Sequence, residues 1–207
     1  MWKYKFGVAF ISLGLVMMAA ALLLVGYNMW DDDRAEKSVK RVRVQIAQHL
    51  MSDSAEEDPT QPDEEDPDFA LDPERDMPIV EIEDHKYIGT LKIPVLELEL
   101  PVISDWSYPN LKVSPCRYVG SAYLDNMIIC AHNYNSHFGR IKNLQDGDEV
   151  RFTDMDGHVF LYAVREVEIL QPTAIEQMES GDWALSLFTC TIGGRTRVTV
   201  RCDKVEE

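Results

Sequence analysis

The pattern of apolar and polar positions changes character along the chain, and each pattern predicts a different element. From Phe6 to Trp30, FGVAFISLGLVMMAAALLLVGYNMW, no charged residue occurs. About 20 apolar residues suffice to cross a bilayer as a helix. Residues 6–30 are therefore predicted as a transmembrane anchor behind a short cytoplasmic stretch, 1–5. A cleaved signal peptide would carry an apolar core of about 7–15 residues followed by a small-residue site. Here the only small cluster, Ala19-Ala20-Ala21, sits inside the run, which favours retention. Behind the span, Val39, Val42, Ile46 and Leu50 recur at spacings of three and four, the period of one helical face. Residues 31–51 are predicted as a juxtamembrane helical stalk that serves as a spacer.

The next segment, 52–78, holds five of the chain's ten prolines and almost no aliphatic residues. Such a composition cannot bury enough surface to order itself, and it is predicted as a disordered linker. Its acids lack the glycine and spacing of an EF-hand loop. From about Ile79 the period shortens to that of strands. YIGTLKIP, the alternating Leu96, Leu98 and Leu100, NMIICAHN, DEVRFTD, HVFLYAVREVEIL, LSLFTC and RTRVTVRC are seven strand candidates, and no long helical period interrupts them. Residues 79–207 are predicted as a mostly β domain, most economically a closed or nearly closed β-barrel with a few short helices.

Charge adds one exclusion. The formal net charge is -16, but twelve Asp or Glu against the single Arg75 between Asp53 and Asp76 supply 11 of it. Nucleic acid is not an expected partner of so acidic a chain. Around the span, Lys3 and Lys5 precede it and Asp31-Asp32-Asp33 follow, whereas Arg34, Lys37, Lys40, Arg41 and Arg43 lie close behind. A plain count of basic residues favours the opposite orientation. Long domains cross largely regardless of charge, so the amino terminus is placed in the cytoplasm and the β domain on the extracellular face.

The cysteines, Cys116, Cys130, Cys190 and Cys202, are separated by 14, 60 and 12 positions. No C-x-x-C occurs, so neither a thioredoxin-type pair nor a zinc ribbon is suggested, and no metal or other cofactor is expected. An extracellular compartment permits a disulfide, but spacing does not reveal a pairing. Cys190 stands apart because of its setting, SLFTCTIGGRTRVTV. If Gly193-Gly194 is a two-residue hairpin turn, residues whose numbers sum to 387 face each other. Cys190 then opposes Arg197, with Arg195 on the diagonal. Adjacent guanidinium groups favour a thiolate; the alternative is a strand cysteine beside arginines that point to solvent. His132 ends NMIICAHN on the same face as Ile128 and Cys130. Cys190, His132 and Arg197 together would supply nucleophile, proton shuttle and oxyanion donor for acyl transfer.

These residues resemble the sortase family. SLFTC is similar to its T-L-x-T-C signature, AHN to its histidine strand end, and RTRVTVRC to the strand that carries its arginine. IGTLKIPVLELELPV resembles its opening strands, and FGRIKNLQDGDEV its F-x-x-L-x-x-L-x-x-G-D segment. Ser186 stands where the signature has Thr, and Ala131 where many members have Gly. The resemblance implies a sortase-type β-barrel behind a membrane anchor, and a cysteine transpeptidase of a Gram-positive bacterium. Such an enzyme cleaves a C-terminal sorting signal of the L-P-x-T-G kind on surface proteins. It holds the acyl part as a thioester on Cys190, with His132 as acid/base and Arg197 steadying the oxyanion. The acyl group then passes to an amine of a cell-wall precursor or a pilin lysine. HNYNSHFGRIKNL leans toward class B. Two other readings stay open: a membrane-tethered cysteine hydrolase that uses water as acceptor, and a non-catalytic wall-binding β domain.

Overall fold

The structure, a computed structural model, describes residues 2–56 and 75–205. The central part of the expected linker, 57–74, lies outside the described residues. Met1–Arg34 and Ala35–Glu207 are two compact units. In helix α1, Trp2–Glu56, an 18-residue window within Ala9–Leu50 has mean hydropathy 2.5 and none of it is buried. It is long and apolar enough to cross a membrane.

Within the second unit, the helical stripe does more than space. Ala35, Val39, Val42 and Ile46 are all buried. Val42 and Ile46 cluster with Tyr87, Ile103, Leu111, Cys116 and Cys130 of the β domain. Ion pairs of Arg41 with Glu83 at 3.2 Å and Arg43 with Glu99 at 3.4 Å flank the stripe. Both are exposed, and such pairs contribute about 0–1 kcal/mol. The apolar contact therefore carries the attachment. The compact unit begins at Ala35, ahead of the start expected at 79.

Nine strands follow: β1 Val80–Ile82, β2 His85–Ile93, β3 Leu98–Ile103, β4 Cys116–Val119, β5 Met127–Ala131, β6 Glu149–Asp154, β7 Val159–Leu170, β8 Leu185–Cys190 and β9 Arg197–Lys204. Two short helices interrupt them, α2 Tyr108–Leu111 and α3 Ile175–Glu179. The order is β1-β2-β3-β4-β5-β8-β9-β7-β6, and β2 also pairs with β6. Eight strands, β2 to β9, thus close into a barrel, as the alternation and turns of the sequence predict, and β1 hangs on β2. At the closing seam Gly89 lies against β6, where a Cβ would meet the Thr153 carbonyl and the Phe152 ring. The inward side chains, among them Leu91, Leu100, Phe152, Val164, Leu187 and Val200, are fully buried or within 1% of it.

Two features of this topology build the site. β5 and β8 run parallel, so the chain must cross over through β6, β7 and α3 before β8 lies beside β5. Parallel neighbours end at the same edge, which brings the residues after β5 and the last residue of β8 together. β8 and β9 form the antiparallel hairpin.

Candidate active site

On β8, Leu185, Leu187 and Thr189 point into the barrel while Ser186, Phe188 and Cys190 point outward, since strand side chains alternate. β9 opposes these residues in order: Ser186 with Arg201, Phe188 with Thr199, Cys190 with Arg197. The register is the one predicted from the sequence. On the other flank, Cys130 lies beside Phe188 and Ala131 beside Thr189. One further step along both strands brings His132 level with Cys190. The three predicted residues therefore occupy one edge of three neighbouring strands. They line a single groove of about 420 Å³.

Each group is held locally. The Thr189 hydroxyl donates to the Ala131 carbonyl at 2.8 Å and ties β8 to β5 just below the groove. His132 accepts the Phe138 amide at 3.2 Å through its carbonyl, and its ring packs 5.0 Å from Tyr134, which packs in turn 5.4 Å from the buried His137. Arg197 donates Nη1 to the Gly194 and Thr196 carbonyls, at 3.1 Å each. Among the described residues its Nε and Nη2 have no protein partner. They remain available to an acceptor in the groove.

The turn differs from the expected one while keeping its centre. Thr191 and Thr196 close the loop through Thr191 N to Thr196 O at 3.0 Å and through their hydroxyls, also 3.0 Å apart. Four residues, Ile192 to Arg195, make the connection, with Gly193 and Gly194 at φ 81° and 70°. Those angles suit glycine, which has no Cβ to clash. Arg195 consequently lies in the loop, exposed, and does not line the groove. Cys190 keeps Arg197 opposite it, as expected, but Arg195 is not the diagonal strand neighbour that a two-residue turn would have made it.

All four cysteines are unpaired. Burial first, then the nearby Cys190, pushes the Cys130 thiol up to about 12. Burial also pushes Cys202 up to about 12 and Cys116 higher still. These three thiols remain protonated at neutral pH, whereas Cys190 is half-buried at the groove. Sequence reasoning missed the groove's aromatic wall. Tyr108, Trp106, Tyr118 and Phe188 contact one another in series, with ring centroids 6.0, 5.8 and 5.5 Å apart. The exposed Trp106 and Tyr108 signal this only once the fold places them beside Cys190. Ile175 and Met178 of α3 line the groove as well.

Comparison with known proteins decides the family. The family model described as the Sortase domain matches residues 91–205, more than half of the chain. The chain belongs to the sortase family. No curated protein matches it. Among solved structures, sortase A from Corynebacterium diphtheriae superposes with TM-score 0.53 at 18% identity over 59% of this chain and 62% of that one. Streptococcus agalactiae sortase C1 gives 0.52 at 18%, over 58% and 68%. Clostridium perfringens sortase C, solved with the C-terminal cell wall sorting motif, gives 0.52 at 24%, over 58% and 71%. This sortase thus spans less than two thirds of the first of these proteins. At such identities the likeness is one of fold, and it does not choose a class.

Proposed function

We propose that this sortase is a membrane-anchored cysteine transpeptidase that cleaves a C-terminal sorting signal of surface proteins, of the L-P-x-T-G kind, and transfers the acyl part to an amine. The observation that carries the reading is the opposition of Cys190 and Arg197 with His132 one strand away, all on one open groove. In the first half-reaction the Cys190 sulfur attacks the scissile carbonyl carbon. Negative charge develops on the carbonyl oxygen, and the free Nε and Nη2 of Arg197 are donors for it. His132, as imidazolium, protonates the departing amine, and a thioester on Cys190 remains. In the second, an acceptor amine loses its proton to His132 as it attacks the thioester, and Cys190 leaves as thiolate.

Under this reading α1 is the anchor, with the amino terminus in the cytoplasm and the barrel on the extracellular face. A cell-wall precursor amine and a pilin lysine both fit the second step. The test is incubation of the protein with a set of sorting-motif peptides, with and without an amine such as oligoglycine, followed by mass spectrometry. An acyl adduct on Cys190 that the amine discharges into a new amide supports transfer. Discharge to the free acid alone, whatever amine is present, would identify a hydrolase and overturn the proposal.

A further inference from the structure

A second arginine on the same strand face is tied to the wall of the groove. β9 turns Arg197, Thr199 and Arg201 to one side, at i, i+2 and i+4. Arg201 is only 2% exposed. Its Nε donates to Glu168 at 2.8 Å, Nη1 to the Met178 carbonyl at 2.8 Å and the Ser186 hydroxyl at 2.9 Å, and Nη2 to the Gln177 carbonyl at 2.6 Å. A buried charge is costly unless its hydrogen bonds are made, and here nearly all are.

Two of those acceptors are main-chain carbonyls of α3. This helix has five residues and no side-chain bond at its N-cap, Ala174. A helix so short does not persist unaided, because nucleation costs more than its few bonds return. An arginine that binds the last carbonyls of a helix satisfies groups its own ladder leaves open. From the middle of the same face, Thr199 Oγ1 reaches Met178 Sδ at 3.9 Å. The side of α3 that these contacts hold down is the one that presents Ile175 and Met178 to the groove.

We propose that Arg201 is a positioning residue: by holding the Gln177 and Met178 carbonyls against the β8–β9 ladder, it keeps the α3 wall in place to receive the donor peptide. The inference rests on the reading that the groove takes such a peptide. Glu168 and Ser186 orient the guanidinium, and Met178 is the side chain through which the effect reaches the peptide. Lysine cannot substitute, because one ammonium does not span two carbonyls, a hydroxyl and a carboxylate arranged around a planar fork.

The test compares the whole chain in detergent with Arg201→Met, Arg201→Lys, Met178→Ala and the Arg201→Met/Met178→Ala pair, measuring KM and kcat for a sorting-motif peptide and amide hydrogen exchange. Arg201→Met is expected to raise KM by roughly tenfold while kcat stays within about threefold, the signature of lost ground-state binding. Exchange of the amides of residues 175–180 should accelerate by roughly tenfold or more while β8 and β9 stay protected. Arg201→Lys should fall between, and Met178→Ala should add little to KM in the Arg201→Met background. An unchanged KM, a fall in kcat alone, or unchanged exchange in α3 would overturn the proposal. Should Arg201→Met fail to fold, Glu168→Gln and Ser186→Ala each remove one of its partners and are expected to give a smaller KM rise with the same exchange signature; no change in either overturns it. If the unsubstituted chain cleaves no sorting peptide, the transpeptidase reading falls. Exchange then decides the positioning role alone, accelerated in support and unchanged against.

Discussion

Thr189 bonds the Ala131 carbonyl at 2.8 Å, one residue before Cys190 on one strand and one before His132 on the other. The bond crosses between the two parallel strands that carry the proposed nucleophile and acid/base. It therefore fixes the height of one group against the other. Thr189 is buried, so valine keeps its shape and removes only the donor. Thr189→Val is expected to lower stability by about 1–2 kcal/mol. It should also lower kcat/KM roughly tenfold through misplacement of the pair. Thr189→Ser should restore both. Thermal unfolding and peptide-cleavage kinetics check this, and a valine variant of full activity would show that the bond does not set the geometry.

The hairpin separates the two arginines by role. Arg197 opposes Cys190 and lines the groove, while Arg195 stands exposed in the loop. Lysine keeps the charge but not the planar fork. Loss of a positioned oxyanion donor costs about 10²–10³ in turnover, and Arg197→Lys is expected to lose that much in kcat. Arg195→Lys should lose less than about tenfold, because it has no contact with the reacting atoms. Single-turnover acylation of both variants decides the matter; the reverse order of effects would sink the role given to Arg197.

How far the sequence revealed this arrangement depended on the range of the interaction concerned. The opposition of Cys190 and Arg197 was readable because Gly193-Gly194 marks the centre of the hairpin and the flanking residues alternate. The four-residue loop was not, since its ends are tied by the Thr191 and Thr196 hydroxyls, and threonines beside a Gly-Gly give no sign of pairing. β1 and β4, with three and four residues, are too short to show a period. The stripe Val39, Val42, Ile46 announced a helix but not its partners, apolar residues gathered from several separate strands and from α2. The clamp of Arg201 on α3 joins segments more than twenty residues apart, and only the folded chain brings them together.

The stalk yields a prediction about truncation. Val42 and Ile46 are 2% and 3% exposed and share a cluster with Tyr118 and Phe188, which also line the groove. A fragment that begins at Ile79 loses this cover and exposes Tyr87 and Ile103. It is expected to be less stable than one that begins at Ala35. Burial of one aliphatic side chain of this size is worth about 2–5 kcal/mol by truncation, and Ile46→Ala in the longer fragment should cost an amount in that range. Denaturant unfolding of both fragments and the variant measures it. Equal midpoints for the two fragments would mean that the helix contributes nothing to the barrel.

The buried thiols set an alkaline limit on stability. Cys130 and Cys202 are pushed up to about 12 from an ordinary 9.0, and Cys116 further, with burial the main cause in each. Above pH 9 the unfolded chain releases these protons while the native state keeps them, so the native state binds more protons. Stability must then fall as pH rises. Below pH 9 both states hold the protons and the effect vanishes. Each thiol contributes up to about 1.4 kcal/mol per pH unit, which makes the fully developed slope for three about 4 kcal/mol per unit. Tyr87 and Tyr162, raised by burial from an ordinary 10.0, add to it only above pH 10. The informative window is therefore pH 8 to 10, where urea unfolding should show stability nearly flat at first and falling steeply by the end. Cys202→Ala lowers the baseline by leaving a small cavity, yet it should flatten the descent by about a third, because one titrating group in three is gone. A descent equally steep in Cys202→Ala, or none before pH 10, would mean that these thiols do not keep their protons in the folded protein.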